Sequence, residues 1–217
     1  MNTIVFGFYG EGARDYGFIQ PLVERLLNEI IPHVDIFAYS IKIEKEAYSL
    51  VRTMLEVAKA GYGYSLIIFH QDADASDTQK CLSERFQPRY ETVKNTDEQI
   101  NKTFVPIIPV RMTEAWMLVD FEAFKRVTGT DKNADDLEFP NRPHQVEALQ
   151  EPKFIFEQAV RKSRNSSRRR RRMIDPSEIY VPLAAQIDLE RLRLVPSFHE
   201  FETGLKDILQ QLHYMEI

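Results

Sequence analysis

The sequence predicts an α/β fold, a doubly wound parallel sheet of about four strands flanked by helices, with a less regular C-terminal extension ending in a helix. Three observations carry the prediction. Short apolar runs alternate four times with segments whose apolar residues recur at helical spacing, the pattern of a parallel sheet with crossover helices. That alternation stops near residue 128, where the chain turns polar and proline-containing. An apolar stripe at helical spacing then closes the chain.

The elements follow in order. Thr3 to Tyr9 (TIVFGFY) reads as the first strand, apolar and bounded by glycine. Ile19, Leu22, Val23, Leu26, Leu27 and Ile30 define the first helix, and Pro21 is expected in its first turn, where a missing N–H costs nothing. Val34 to Ile41 is the second strand. Ala47, Leu50, Val51, Met54, Leu55 and Ala58 form the second helix, closed by Gly61 and Gly63. Tyr64 to Phe69 is the third strand. The polar segment from Asp77 to about Lys102 is expected to be helical but interrupted near Pro88, with Asp77 as turn residue or N-cap. Phe104 to Val110 (FVPIIPV) is the fourth strand, and its prolines place it at a sheet edge. Thr113 is the expected N-cap of a helix bearing Trp116, Val119, Phe124 and Val127.

Beyond Thr128 the expectation is loops with short turns, then a helix over Phe154 to Arg164. A short strand-like piece around Tyr180 and a terminal helix capped by Ser197 complete the chain. Residues 1–128 form the α/β unit, and 129–217 an extension packed on the same core. Trp116 and Cys81 are expected to pack in that core.

Composition narrows the function classes. At 43% hydrophobic and 28% charged the chain is ordinary for a globular protein. No run approaches the ~18 apolar residues a membrane span needs, and no secretion signal opens the chain, so no membrane partner and a cytoplasmic location are expected. Cys81, the one cysteine, excludes an internal disulfide and a cysteine-based zinc cluster. The net charge of −5 hides an asymmetry: Glu151 to Met173 holds nine bases against two acids, a net +7, so the remainder carries −12.

Acidic residues gather where strands leave the sheet. Asp72 and Asp74 follow the third strand in LIIFHQDADASD, and Glu11 follows the first between two glycines in GEG. Ligands of open parallel sheets bind beyond the carboxyl ends of the strands. Residues two apart in an extended chain project to one face, so Asp72 and Asp74 can converge on a cation. Magnesium suits such a place, taking one or two carboxylates and filling its shell with waters and phosphate oxygens. The alternative is that these aspartates are turn residues or caps. Glu114, after the fourth strand, either completes the acidic rim or is an acid in a helix's first turn. His70 is a further ligand, a proton donor, or a hydrogen-bonded strand end. Arg111 can hold a phosphate or pair with one of the acids.

These residues resemble a known pattern. An acid in a glycine turn after strand one, with D-x-D after strand three, looks like the Toprim domain of topoisomerases, bacterial primases and nucleases of the overcoming-lysogenization-defect type. The EG near the N-terminus, the D-A-D, the string E-A-W-x-L-x-D from Glu114 to Asp120 and the late PSFHEF are similar to a Toprim-like family, domain of unknown function 4276. The resemblance implies that Glu11 is a general acid/base and that Asp72 and Asp74 hold Mg2+ or Mn2+. It further implies nuclease chemistry, possible in genome defence, with Glu114 as a second catalytic acid.

The arginine tract SRNSSRRRRRM, with Arg168, Arg169, Arg170, Arg171 and Arg172, is too densely charged to bury. It reads as a nucleic-acid contact made through phosphates, alongside Arg111, or as a surface loop. The expected function is Mg2+-dependent cleavage of nucleic-acid phosphodiesters. The alternatives are a non-catalytic nucleic-acid-binding or regulatory subunit with a protein partner or in a homo-oligomer, and a small-molecule phosphotransfer or phosphohydrolase enzyme.

Overall fold

A computed structural model describes residues 3–43, 49–163 and 175–215. The arginine tract, Arg168 to Arg172, lies outside the described residues. So does Ala47, the first position of the stripe read as the second helix.

Four parallel strands form one sheet in the order β2-β1-β3-β4. They are β1 (Thr3–Tyr9), β2 (Asp35–Ser40), β3 (Leu66–His70) and β4 (Phe104–Ile107). The expected α/β parallel architecture is thus present, with the proline-bearing β4 at an edge. The chain passes from β1 outward to β2, then back across to β3 and on to β4. The direction of winding therefore reverses between β1 and β3, the position where such sheets open a crevice.

Alternation along the strands sorts side chains to two faces. Ile4, Phe6 and Phe8 of β1, Leu66 and Ile68 of β3, and Val105 and Ile107 of β4 enter one core. Tyr9, Ile67, Phe69 and Phe104 enter the other. The first core is the larger, shared by α1 (Ala13–Ile30) and the helices of the second half of the chain. The second is covered by α2 (Leu50–Ala60), and by α3 (Thr78–Lys80) continuing through a π-helical stretch at Cys81–Phe86 into α4 (Gln87–Lys94). Pro88 does not break this run; the wider π turn precedes it and α4 absorbs it in its first turn. Asp77 caps α3, its carboxylate accepting from the Gln79 N–H at 2.8 Å.

After β4 come α5 (Glu114–Met117) and α6 (Phe121–Thr128), two helices where one was expected. Asp120 caps α6 through the Ala123 N–H, while Thr113 caps nothing with its side chain. Then follow α7 (Pro152–Lys162), α8 (Tyr180–Gln186), α9 (Leu189–Arg193) and α10 (Pro196–Gln211). The strand-like piece around Tyr180 is therefore helical: Tyr180, Leu183 and Ala184 are its buried residues, a 3–4 spacing. Ser197 lies inside α10, where its Oγ accepts from the buried Trp116 Nε1 at 2.9 Å instead of capping. Trp116 and Cys81 are buried as expected.

Pro21 corrects another expectation, for it lies well inside α1. Its ring denies the Gly17 carbonyl a helical partner, a cost the helix meets by burying Phe18, Ile19, Leu22 and Val23 around it. Each such side chain contributes roughly 1.5–3 kcal/mol when withdrawn from water. Among the described residues no helix is long and apolar enough to cross a membrane.

Candidate active site

The site grows from the turn after β1. Gly10, Glu11 and Gly12 carry the chain from the strand into α1, and Gly12 is extended at φ −144° and ψ 164°. The Asp15 carboxylate reaches back from the first turn of α1 to accept the Gly12 N–H at 2.8 Å. Gly10 makes that approach possible, because a Cβ there would lie 2.7 Å from the Asp15 Cβ.

Facing this turn, the end of β3 presents His70 and Asp72. His70 follows Leu66 and Ile68 on the α1 face and is fully buried. Its Nε2 lies 3.0 Å from the Thr113 hydroxyl and 3.3 Å from Asp72 Oδ1, and its Nδ1 lies 3.5 Å from Asp15 Oδ2 without a hydrogen bond. Burial alone would push the imidazole pKa down. The hydrogen bond to Asp72 and the charges of Asp15, Asp72 and Glu11 outweigh it, and the net shift is upward. His70 is thus a buried tie between two carboxylates.

The turn after β4 closes the third side. The Thr113 N–H donates to Asp72 Oδ1 at 3.0 Å, fixing that carboxylate from behind. Glu114, buried at the start of α5, takes an ion pair from the Arg14 guanidinium at 3.5 Å. Burial raises the Glu114 pKa; its own backbone N–H opposes the rise, Asp72 adds to it, and Arg14 and Lys153 oppose it. Glu11 is exposed as a whole residue, yet desolvation of its carboxylate raises its pKa; His70 opposes the rise, and the charges of Asp72, Asp74 and Asp15 add to it.

Glu11, Asp72 and Glu114 line one cleft of about 390 Å³ together with Asp15, Arg14, Thr113 and Lys153. The ends of three parallel strands therefore bring three of the expected acids together. Asp74 is not among the residues lining that cleft. Its backbone is left-handed at φ 53°, held by bonds from its N–H to the Arg111 carbonyl and from the Arg111 N–H to the Ala75 carbonyl. The two-residue alternation of an extended chain fails at that point, and the Asp74 carboxylate pairs with Arg85 at 3.3 Å. Its charge is nonetheless felt at Glu11. Arg111, also left-handed at φ 60°, stands beyond β4 with its Nε buried and unbonded.

Sequence reasoning passed over Asp15, Arg14 and Lys153 and read Thr113 only as a cap. The one local signal was Asp15 itself, an acid in the first turn of the helix that begins just after Glu11.

A family model described as a domain of unknown function, number 4276, matches residues 10–206, and the chain belongs to that family. No curated protein and no solved structure matches the chain.

Proposed function

We propose that this member of the family is a divalent-cation-dependent phosphodiesterase acting on nucleic acid, a nuclease of Toprim type. The observation supporting it is the meeting of Glu11, Asp72 and Glu114, from three strand ends, in one cleft beside Arg14 and Lys153. Burial, and then the neighbouring Asp72 charge, raise the pKa of both Glu11 and Glu114, and a cation beside them would relieve both.

The donor set fits magnesium or manganese, which prefer carboxylate oxygen and complete their shell with water and substrate. Among the described residues no group of three or more His, Cys, Asp and Glu is arranged to hold a metal ion. The proposed ligands are therefore Asp72, fixed by Thr113 and His70, and Glu11 beside it. Asp74 would join them by exchanging Arg85 for the cation. Bound there, the ion would neutralise a phosphate and favour attack at phosphorus.

The chain's own groups do the rest. Arg14 and Lys153 would hold the non-reacting phosphate oxygens. Glu11 would take a proton from the attacking water, and Glu114, which keeps its proton more readily than an exposed glutamate, would return one to the leaving oxygen. Arg111 and the tract Arg168 to Arg172 would hold the polyanion through its phosphates. A cytoplasmic setting belongs to the same proposal, as does a role in genome defence, which rests on the family resemblance.

A second reading, a non-catalytic binding subunit, draws on the internal pairing of the acids: Asp74 with Arg85, and Asp72 with His70 and Thr113. Incubation of labelled DNA and RNA with the purified chain in Mg2+, Mn2+ or chelator separates the two. Metal-dependent cleavage lost in Asp72→Asn supports the enzyme. Binding without cleavage supports the subunit, and cleavage that survives Asp72→Asn refutes the site.

A further inference from the structure

A second hollow, about 440 Å³, adjoins the acidic cleft and shares Glu11 and Gly12 with it. Its volume lies in the range of small-ligand clefts. Its chemistry differs from that of its neighbour. Tyr9, Tyr16 and Ile43 give it aromatic and apolar walls, while Ser40 and Lys42 at the end of β2 bring a hydroxyl and a cation. Its walls are tied together. The Tyr16 hydroxyl donates to the Ile41 carbonyl at 2.7 Å, and the Ile41 N–H donates to the Phe8 carbonyl at 2.7 Å. Tyr9 is backed by Phe69, stacked at 4.9 Å between ring centroids.

We infer that this hollow holds the nucleotide next to the scissile phosphate, its base against the tyrosines and its outer phosphate on Lys42, so that the substrate strand enters unpaired. The inference rests on the proposed phosphodiesterase reading and adds the class of substrate. A phosphate beside Glu11 in the acidic cleft leaves the adjoining nucleoside on the other side of Glu11, against the tyrosines. A base inside a duplex keeps its faces stacked and its edge paired, so only a single strand or an extruded nucleotide can present it there. Base–aromatic contact of this kind tolerates any sequence.

The test is a binding titration with the full chain carrying Asp72→Asn to suppress turnover, in Mg2+, against a fluorescein-labelled five-nucleotide single strand and a blunt duplex of the same sequence. Lys42→Glu and Lys42→Ala are compared on that background, with circular dichroism confirming the fold. The inference expects Lys42→Glu to weaken the single strand roughly tenfold and the duplex by less than twofold. It also expects a nucleoside monophosphate to displace the labelled strand at a far lower concentration than inorganic phosphate. Equal loss for strand and duplex, no loss for either, or equal displacement by phosphate overturns it. Its failure is separable from failure of the catalytic reading. Lys42-dependent strand binding without metal-dependent cleavage leaves the subsite standing alone, and cleavage without Lys42 dependence removes only the subsite.

Discussion

Gly10→Ala places a single methyl group at the narrowest point of the site. The new Cβ would lie 2.7 Å from the Asp15 Cβ, 3.1 Å from Phe8 Cε1 and 3.2 Å from Asp15 Oδ2. Carbon atoms in contact prefer about 3.5–4.0 Å, so the Asp15 side chain must retreat by about 1 Å. Phe8 is fully buried and cannot give way in its place. The retreat breaks the 2.8 Å bond to the Gly12 N–H and draws Asp15 away from His70. Overpacking costs about 1–3 kcal/mol and a lost cap about 1 kcal/mol, so a destabilisation of about 2–4 kcal/mol is expected. For a chain of this size that lowers the thermal midpoint by roughly 4–16 °C. Gly12→Ala is the control, since a Cβ there meets only Asp15 Oδ2 at 3.8 Å, an ordinary contact. Circular dichroism melts of both variants decide the matter. A Gly10→Ala midpoint equal to that of Gly12→Ala would show that Asp15 is not packed against the turn, and the site's geometry would fall with it.

Three further outcomes are expected. Glu114→Gln should stabilise the chain at pH 7. The folded-state carboxyl titrates above its unfolded value, so its favourable contribution is present below the ordinary glutamate range and is lost as pH rises through the raised value. The advantage of the variant should therefore vanish below about pH 4 in urea melts, and an advantage constant with pH contradicts the assignment. The two Asp72 variants should part company. Asp72→Asn keeps an acceptor for the Thr113 N–H, whereas Asp72→Ala leaves that donor unpaired and should be less stable by about 1–2 kcal/mol in chemical denaturation, with equal stabilities the contrary result. Trp116→Phe removes the buried bond to Ser197 Oγ at 2.9 Å and should cost about 1–3 kcal/mol, which Trp116→Phe with Ser197→Ala should partly recover if the bond is the cause.

What could be read from the chain was whatever repeats along it. The apolar runs at Thr3–Tyr9, Leu66–His70 and Phe104–Ile107 declare themselves by composition, and helical stripes such as Leu22, Leu26 and Ile30 by period. Glu11, Asp72 and Glu114 were legible as site candidates because each follows a strand, and parallel strands end at one lip. The errors have one source: a residue whose partner is distant in sequence gives no local sign. Serine often caps a helix, but Trp116 claims the oxygen of Ser197. Threonine does the same, but Asp72 and His70 claim Thr113. The left-handed turn at Asp74 is set by bonds to the loop after β4, so the expectation of two aspartates on one face had no means of anticipating it. Pro21 and Tyr180 show packing overriding local preference, with α8 lying directly against α1.

The account turns on a divalent ion shared by Asp72 and Glu11 at the lip between β1 and β3. Crystals of the chain soaked in Mn2+, with anomalous difference density collected near the manganese edge, test that directly. A peak within bonding distance of an Asp72 oxygen and facing Glu11, lost in Asp72→Asn crystals, is the predicted result. A cleft without a peak, with the Asp72 carboxylate still closed on Thr113 and His70, would contradict it.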